Sequence, residues 1–309
     1  MTTYSNSKPG ASVKDAAHQL SSARKQDAAL YVVATPIGNL ADISERALTV
    51  LSGVDLIAAE DTRRTGRMLT HLGIRTELIS CHEHNEMQRA EQITQRIRAG
   101  EAVALVSDAG TPLMSDPGYR LVKAARDEGL SVIPVPGSCA AVAALSVAGL
   151  PSDRFRFEGF LPAASKARRA RLSILSDASE TLIFYVSVHK MRATLDDLSD
   201  IFGGDRAAML AREITKLYET FYSGSLSDVR AKLAEDPGGS KGEFTLVVAG
   251  RVEEQLASAS EIRRVLTVLL EELPAGQAAS LAAKLLGVKK RAAYDIALEM
   301  KNSDNSPAD

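Results

Sequence analysis

A chain of 309 residues is long for one hydrophobic core, so the sequence predicts two or three domains. Its 45% hydrophobic and 25% charged content is that of a globular protein, and no apolar run is long enough to cross a bilayer as a helix. A net charge of −2 excludes a globally basic nucleic-acid binder while leaving room for local basic patches. Two cysteines, Cys81 and Cys139, cannot make a disulfide framework, which points to a reducing, cytoplasmic setting. Residues 1–27 are rich in Ser, Ala and Lys and lack a signal-peptide core, and are expected to be a disordered tail.

From there the chain alternates. A-L-Y-V-V-A (Ala29–Ala34) predicts a buried strand that breaks at T-P-I-G-N-L (Thr35–Leu40), with a helix from Ile43 to Leu51. The glycine pattern of a dinucleotide site is absent, which argues against NAD. A second strand, Val54–Ala59, ends in E-D-T-R-R-T-G-R and a helix through Leu72. A third, Thr76–Ser80, runs into C-H-E-H-N-E. His82 and His84 there invite a metal reading, but no further His or Cys stands at ligand spacing, so no metal is expected. After a helix over Met87–Ala99 comes the segment that organises the rest, A-V-A-L-V-S-D-A-G-T-P-L-M-S-D-P-G (Ala102–Gly118). It reads as a buried strand and then a loop longer than a strand-to-helix turn requires, at the strand end where open α/β sheets hold ligands. A helix (Tyr119–Glu128), a strand (Ser131–Val135), P-V-P-G-S-C-A and a helix (Ala140–Ala148) complete a rhythm that predicts a mostly parallel sheet.

At G-L-P-S-D-R (Gly149–Arg154) the pattern pauses, and a second α/β domain is expected. Its basic segment holds Lys166, Arg168, Arg169 and Arg171, either a solvated helix face or an RNA-facing patch. Strands at Thr181–Ser187 and Ala207–Ala211, the run R-E-I-T-K-L-Y-E-T-F, a helix capped by Ser225 with Asp228 three residues on, and the strand in K-G-E-F-T-L-V-V-A-G follow. Beyond a polar linker (Val252–Ser260), helices near Ile262–Leu273, Gln277–Leu286 and Lys289–Met300 resemble a helix-turn-helix with Gly287 at the turn. A packing or dimerisation appendage reads equally well.

Four motifs in order, A-T-P-I-G-N-L-A-D, A-E-D-T-R-R-T, S-D-A-G-T-P-L-M-S-D-P-G and P-V-P-G-S-C-A, resemble the tetrapyrrole methylase superfamily, and within it the small-subunit ribosomal RNA methyltransferases. R-E-x-T-K-x-x-E-T (Arg212–Thr220) also fits, whereas F-Y-V-S-V-H-K (Phe184–Lys190) departs from the F-Y-E-S-P-H-R of that family. The resemblance implies two α/β domains with a cofactor cleft between them (28–149 and 150–251) and a small C-terminal helical domain (258–302). It implies S-adenosyl-L-methionine as cofactor, methyl transfer to the ribose 2′-oxygen of a cytidine in the decoding region, and a homodimer. By motif matching the cofactor falls to Pro36, Gly38, Asp108, Ala109, Gly110, Thr111, Ser138 and Cys139, with Tyr185, Val186 and Thr245 from the second domain.

A ribose hydroxyl is a weak acid, so a base is expected to assist. Of Asp61, His82, Glu83 and Glu86 at the strand ends, Asp61 and Glu86 are the candidates, against the plainer reading that these carboxylates anchor Arg63 or Arg64. RNA contacts are expected from Arg63, Arg64, Lys166, Arg171, Arg212 and Lys216. A tetrapyrrole (precorrin-type) methylase and a non-catalytic RNA-binding factor are the competing readings; the basic segments and the helical C-terminus favour RNA.

Overall fold

A computed structural model of the chain describes residues 25–251 and 258–304. The expected tail up to residue 24 and the linker over 252–257 lie outside them. Five short strands, β1 (Leu30–Val33), β2 (Leu56–Ala59), β3 (Glu77–Ser80), β4 (Val103–Val106) and β5 (Val132–Val135), form a sheet in the order β3-β2-β4-β1-β5. Every pairing in it is parallel, with Leu30 opposite both Val103 and Val132. β2 and β4 are buried along their whole length because helices cover both faces, which is why they read as unbroken apolar runs. Alternate residues sort to the two sides. Tyr31, Val33, Ile57 and Val106 pack with Leu48 and Leu51 of α1 (Glu45–Gly53) and Leu69 and Leu72 of α2 (Thr62–Leu72). Leu30, Leu56, Val103 and Leu105 pack with Ile93 and Ile97 of α3 (Glu86–Arg98) and Leu121 and Ala125 of α4 (Tyr119–Asp127).

The second sheet holds β6 (Phe155–Phe160), β7 (Thr181–Val186), β8 (Ala207–Arg212), β9 (Thr220–Ser225) and β10 (Phe244–Val248), in the order β6-β7-β10-β8-β9. β6 and β7 run parallel, and the other neighbours are antiparallel. One face is covered by α6 (Ser165–Leu175), α7 (Met191–Phe202) and α8 (Leu226–Glu235), through Leu172, Leu175, Leu195, Leu198 and Val229. The other face meets α5 (Ala140–Val147), whose Ala141, Ala144 and Leu145 pack on Ile183, Met209 and Val247. α5 follows the first sheet in sequence yet seals the second. The pause at Gly149–Arg154 is therefore a change of sheet inside one compact unit that ends at Gly250. Neither β6 nor β9 was expected from the sequence as a separate strand.

The described residues from Arg251 onward form a second compact unit. Its helices α9 (Ala259–Glu272), α10 (Ala275–Leu286) and α11 (Lys290–Asp304) close on Ile262, Leu266 and Val288 and an alanine core that includes Ala278, Ala282, Ala293 and Ala297. Gly287 ends α10 in the left-handed conformation, the turn geometry that glycine adopts without strain. No helix among the described residues is long and apolar enough to cross a membrane.

Candidate active site

The carboxyl ends of the first sheet's strands carry the motif loops, and backbone bonds lock them to one another. Thr35 N donates to Gly110 O (2.8 Å) and Gly110 N to Thr35 O (3.0 Å), while Thr111 Oγ1 donates to Ser138 O (2.9 Å). Gly110 has a positive φ of 85°, and a Cβ there would stand 3.2 Å from Ile37 Cγ2. The loop therefore needs a glycine for both conformation and space. Two further turns of this loop are made by non-glycine residues in left-handed conformations, Leu113 (φ 73°) and Ser115 (φ 69°). Strained backbone of this kind concentrates at functional sites.

Between these loops and the second sheet lies a cavity of about 460 Å³. Ala109, Gly110, Thr111 and Cys139 wall it from the first sheet, and Tyr185, Val186 and Thr245 from the second. These seven of the eleven expected cofactor residues are thus brought together. The other four serve the frame. Ser138 offers its carbonyl to Thr111, and Pro36 precedes Ile37 on the wall. Asp108 turns to the Asp61 backbone N–H (3.0 Å) and the Arg64 guanidinium (2.9 Å). Gly38 abuts the segment after β8. A Cβ on it would overlap Lys216 Cγ and approach Thr215 Oγ1 to 2.8 Å, and the neighbouring Asn39 N donates to Thr215 Oγ1 (3.1 Å).

Tyr185 packs edge-on against Phe157 and Phe160, with ring centroids 4.9 and 5.6 Å away. Burial, reinforced by Cys139, raises its hydroxyl pKa well above the ordinary tyrosine value, so it stays neutral. Four wall residues with usable chemistry escaped the sequence reading: Asp116, Phe160, His189 and Glu243. Asp116 stood inside the ligand-facing loop motif but was not singled out among its residues. Burial first, with Glu60 and Asp108 adding to it against a hydrogen bond from Ser107, pushes its carboxyl up to about 6.

Neither expected catalytic carboxylate lines the cavity. Asp61 caps α2, accepting from Arg63 N (2.8 Å), and takes Arg63 Nε (3.1 Å) and Nη2 (2.8 Å) as well. Those bonds hold its carboxyl well below the usual carboxylate range, which makes it a feeble proton acceptor. Glu86 is buried, and its Oε1 accepts from Gly118 N (3.1 Å), Arg120 N (2.6 Å) and Leu121 N (3.2 Å). It is the cap of α4. The plainer reading of both carboxylates, as anchors, is the one their contacts support.

The cations expected to contact RNA divide in the same way. Arg63, Arg64 and Lys166 are exposed, the first two while paired with Asp61 and Asp108. Arg171 puts Nε and Nη2 on one oxygen of the buried Glu158 (2.9 and 2.7 Å). Arg212 is buried, donating to Lys241 O (2.9 Å), and Lys216 bridges Glu213 and Glu243 (2.9 Å each). These last three are each tied to partners of the second domain, and of them only Arg212 is buried. His82 and His84 meet edge to face at 6.0 Å away from the cavity wall. Among the described residues no group of three or more His, Cys, Asp or Glu could hold a metal.

Two α/β sheets with a cavity at the strand ends of the first define a class. Residues 29–230 match the family Tetrapyrrole (Corrin/Porphyrin) Methylases, and residues 257–301 match the RsmI C-terminal HTH domain. The solved structure of the methyltransferase CobJ shares this fold (TM-score 0.54, 18% identity, 72% of this chain and 96% of that one). The Escherichia coli O157:H7 protein "Ribosomal RNA small subunit methyltransferase I" is 50% identical over 92% of this chain and 99% of its own length. Its Pseudomonas aeruginosa namesake is 52% identical over 87% of this chain and 96% of its own. The chain belongs to the ribosomal RNA small subunit methyltransferase I family.

The family's cofactor is S-adenosyl-L-methionine, and the residues present fit it. The cavity is of ligand size, its wall is largely apolar, and Gly110 leaves a cradle that a side chain would fill. No cluster of basic side chains stands on that wall, in keeping with a cofactor that has no phosphate. Because Gly38 lets the Ile214–Lys216 segment, and with it the wall residue Ile214, close on the first sheet, Gly38→Ala is expected to weaken cofactor binding about tenfold. It should also lower stability by about 1–3 kcal/mol through overpacking. Equilibrium binding of labelled S-adenosylmethionine and urea unfolding check the two effects.

Proposed function

We propose that the chain transfers a methyl group from S-adenosyl-L-methionine to the ribose 2′-oxygen of a cytidine in the decoding region of small-subunit ribosomal RNA. It would do so in the cytoplasm as a homodimer. The observation that carries the reading is the second compact unit. Its residues match a C-terminal helix-turn-helix family, and Lys289, Lys290 and Arg291 stand at the start of α11, a feature a flat macrocycle does not require.

When bound, the cofactor supplies an electrophilic methyl group on a sulfonium sulfur. What this chain contributes is positioning and the exclusion of water. The interlocked loops at Thr35, Gly110 and Ser138 set one wall, and the aromatic packing of Phe157, Tyr185 and Phe160 sets the other. Outside the cavity, the exposed Arg63, Arg64 and Lys166 would meet phosphates, and each charge removed should flatten the salt dependence of binding.

Tritium transfer from labelled S-adenosylmethionine to small ribosomal subunits lacking their native methylations tests the reading. Label recovered in an alkali-resistant dinucleotide is the expected result. Cofactor binding with no label in RNA would overturn it and direct the search to tetrapyrrole acceptors.

A further inference from the structure

The loop of the first sheet touches the edge of the second at one point beside the cavity. β6 slips register against β7 between Phe157 and Gly159, and Gly159 takes a positive φ of 63°. Ser115 Oγ lies 2.7 Å from where a Cβ on Gly159 would stand, so a side chain there would strain the backbone and displace Ser115. A bulge of this kind re-aims the residue that follows it. Here the residues next to the contact on each side, Asp116 and Phe160, both line the cavity. Phe160 packs edge-on to Tyr185 yet stays 61% exposed, although its partner ring Tyr185 is half-buried. An exposed aromatic ring on the wall of a ligand-sized cavity suits the face of a nucleobase.

The geometry points to a nucleotide seat at this contact, in which Phe160 stacks on the target base and Asp116 is the catalytic residue that receives the proton of the ribose hydroxyl. This rests on the ribose-methylation reading above. The ribose oxygen forms its bond to the methyl carbon as the carbon–sulfur bond breaks, and that electron pair stays on sulfur to leave S-adenosylhomocysteine. The hydroxyl proton passes to the Asp116 carboxylate and from there to solvent.

The groups that face Asp116 are Ser107, Glu60 at the end of β2, Asp108 after β4 and Tyr185 on β7, and His189 and Glu243 share its wall. Burial and the two neighbouring carboxylates make it a stronger base than an ordinary aspartate while leaving it ionised near neutral pH. Arg63 deprives Asp61 of that property.

The test is single-turnover methyl transfer to undermethylated small subunits across pH 5–8.5, with cofactor and subunit binding measured on the same variants. Asp116→Asn is expected to bind both within about threefold of wild type and to slow transfer about 10²–10⁴-fold. The wild-type rate should fall as pH drops below about 6, and the residual Asp116→Asn rate should be flat there. Phe160→Leu is expected to raise the subunit KM about 5- to 100-fold with a smaller change in the rate at saturation, and Phe160→Trp to restore it. An Asp116→Asn rate within threefold of wild type, or a wild-type rate with no acid limb, overturns the base. An unchanged KM in Phe160→Leu overturns the stacking. If the wild-type protein labels no RNA, the ribose-methylation reading itself falls. Unaffected variants of an active protein remove only this seat.

Discussion

Glu86→Ala is expected to lower stability by about 3–5 kcal/mol and to weaken cofactor binding with it. The first turn of α4 has no side-chain cap of its own, since Gly118 stands at its N-cap with φ 125°. The unpaired N–H groups that every helix start presents are met here by one carboxylate from α3, which takes three of them. Truncation leaves the amides of the buried Gly118 and Leu121 without a partner where water does not reach. It also frees the C-terminal anchor of the Ser107–Gly118 loop, on which four of the expected cofactor residues stand. Glu86→Gln keeps an acceptor oxygen and should lose about 1–2 kcal/mol, as a hydrogen bond to a charged group becomes one to a neutral group. Urea unfolding measures both. A catalytic Glu86 would give the opposite pattern, with Glu86→Gln inactive at undiminished stability.

The second large effect lies on the far side of the second sheet. Arg168 is buried, donating Nε to Asp197 Oδ2 (2.7 Å) and Nη1 to Ala163 O (3.2 Å). Asp197, also buried, accepts Arg169 Nη1 on its other oxygen (2.6 Å), and Arg169 reaches on to Asp200 (3.0 Å). Arg168→Ala leaves one oxygen of the buried Asp197 without its partner, with Arg169 still holding the other, and is expected to cost about 2–4 kcal/mol, whereas replacing both Arg168 and Asp197 by apolar residues of similar size should cost less. Burial pushes the Asp197 carboxyl up, but the hydrogen bonds from Arg169 and Arg168 outweigh it and hold it below its ordinary value of 3.8. Its folded pKa therefore lies below the unfolded one. The contribution is complete above about pH 4 and drains as pH falls through the folded value. Acid unfolding of the wild type against Asp197→Asn should show the difference in stability shrinking over that interval.

These two sites also mark what the sequence could convey. Strands walled on both faces, such as L-I-A-A in β2 and V-A-L-V in β4, announce themselves as apolar runs, and the loops that follow them carry turn chemistry. The strands that escaped notice are the two edges of the second sheet. In β9, T-F-Y-S-G-S buries only Tyr222, and in β6 a bulge and a glycine break the alternation. The site followed the same logic. Backbone-built parts of the cleft (Gly110, Thr111) were legible as motif, while side-chain roles depended on partners far along the chain. Arg171 finds Glu158 13 residues away, Arg212 finds Lys241 29 away, and Glu86 finds Arg120 34 away. No local pattern distinguishes such a charge from one facing solvent. Asp116 was hidden for the same reason, because its burial beside Ser107, Glu60 and Asp108 is set by the fold and not by the local D-P-G pattern.

Leu113 and Ser115 have counterparts across the cleft in Glu213 (φ 53°) and Thr215 (φ 66°), so the non-glycine residues in left-handed backbone among the described residues flank the cleft. Each such residue costs on the order of 1–2 kcal/mol relative to relaxed backbone. Heat tolerance and turnover therefore compete for the same few positions. A lineage adapting to higher temperature would gain stability by relaxing these loops but would give up the cleft shape that the strain maintains. The helix faces remote from it are where such adaptation can accumulate without loss of activity.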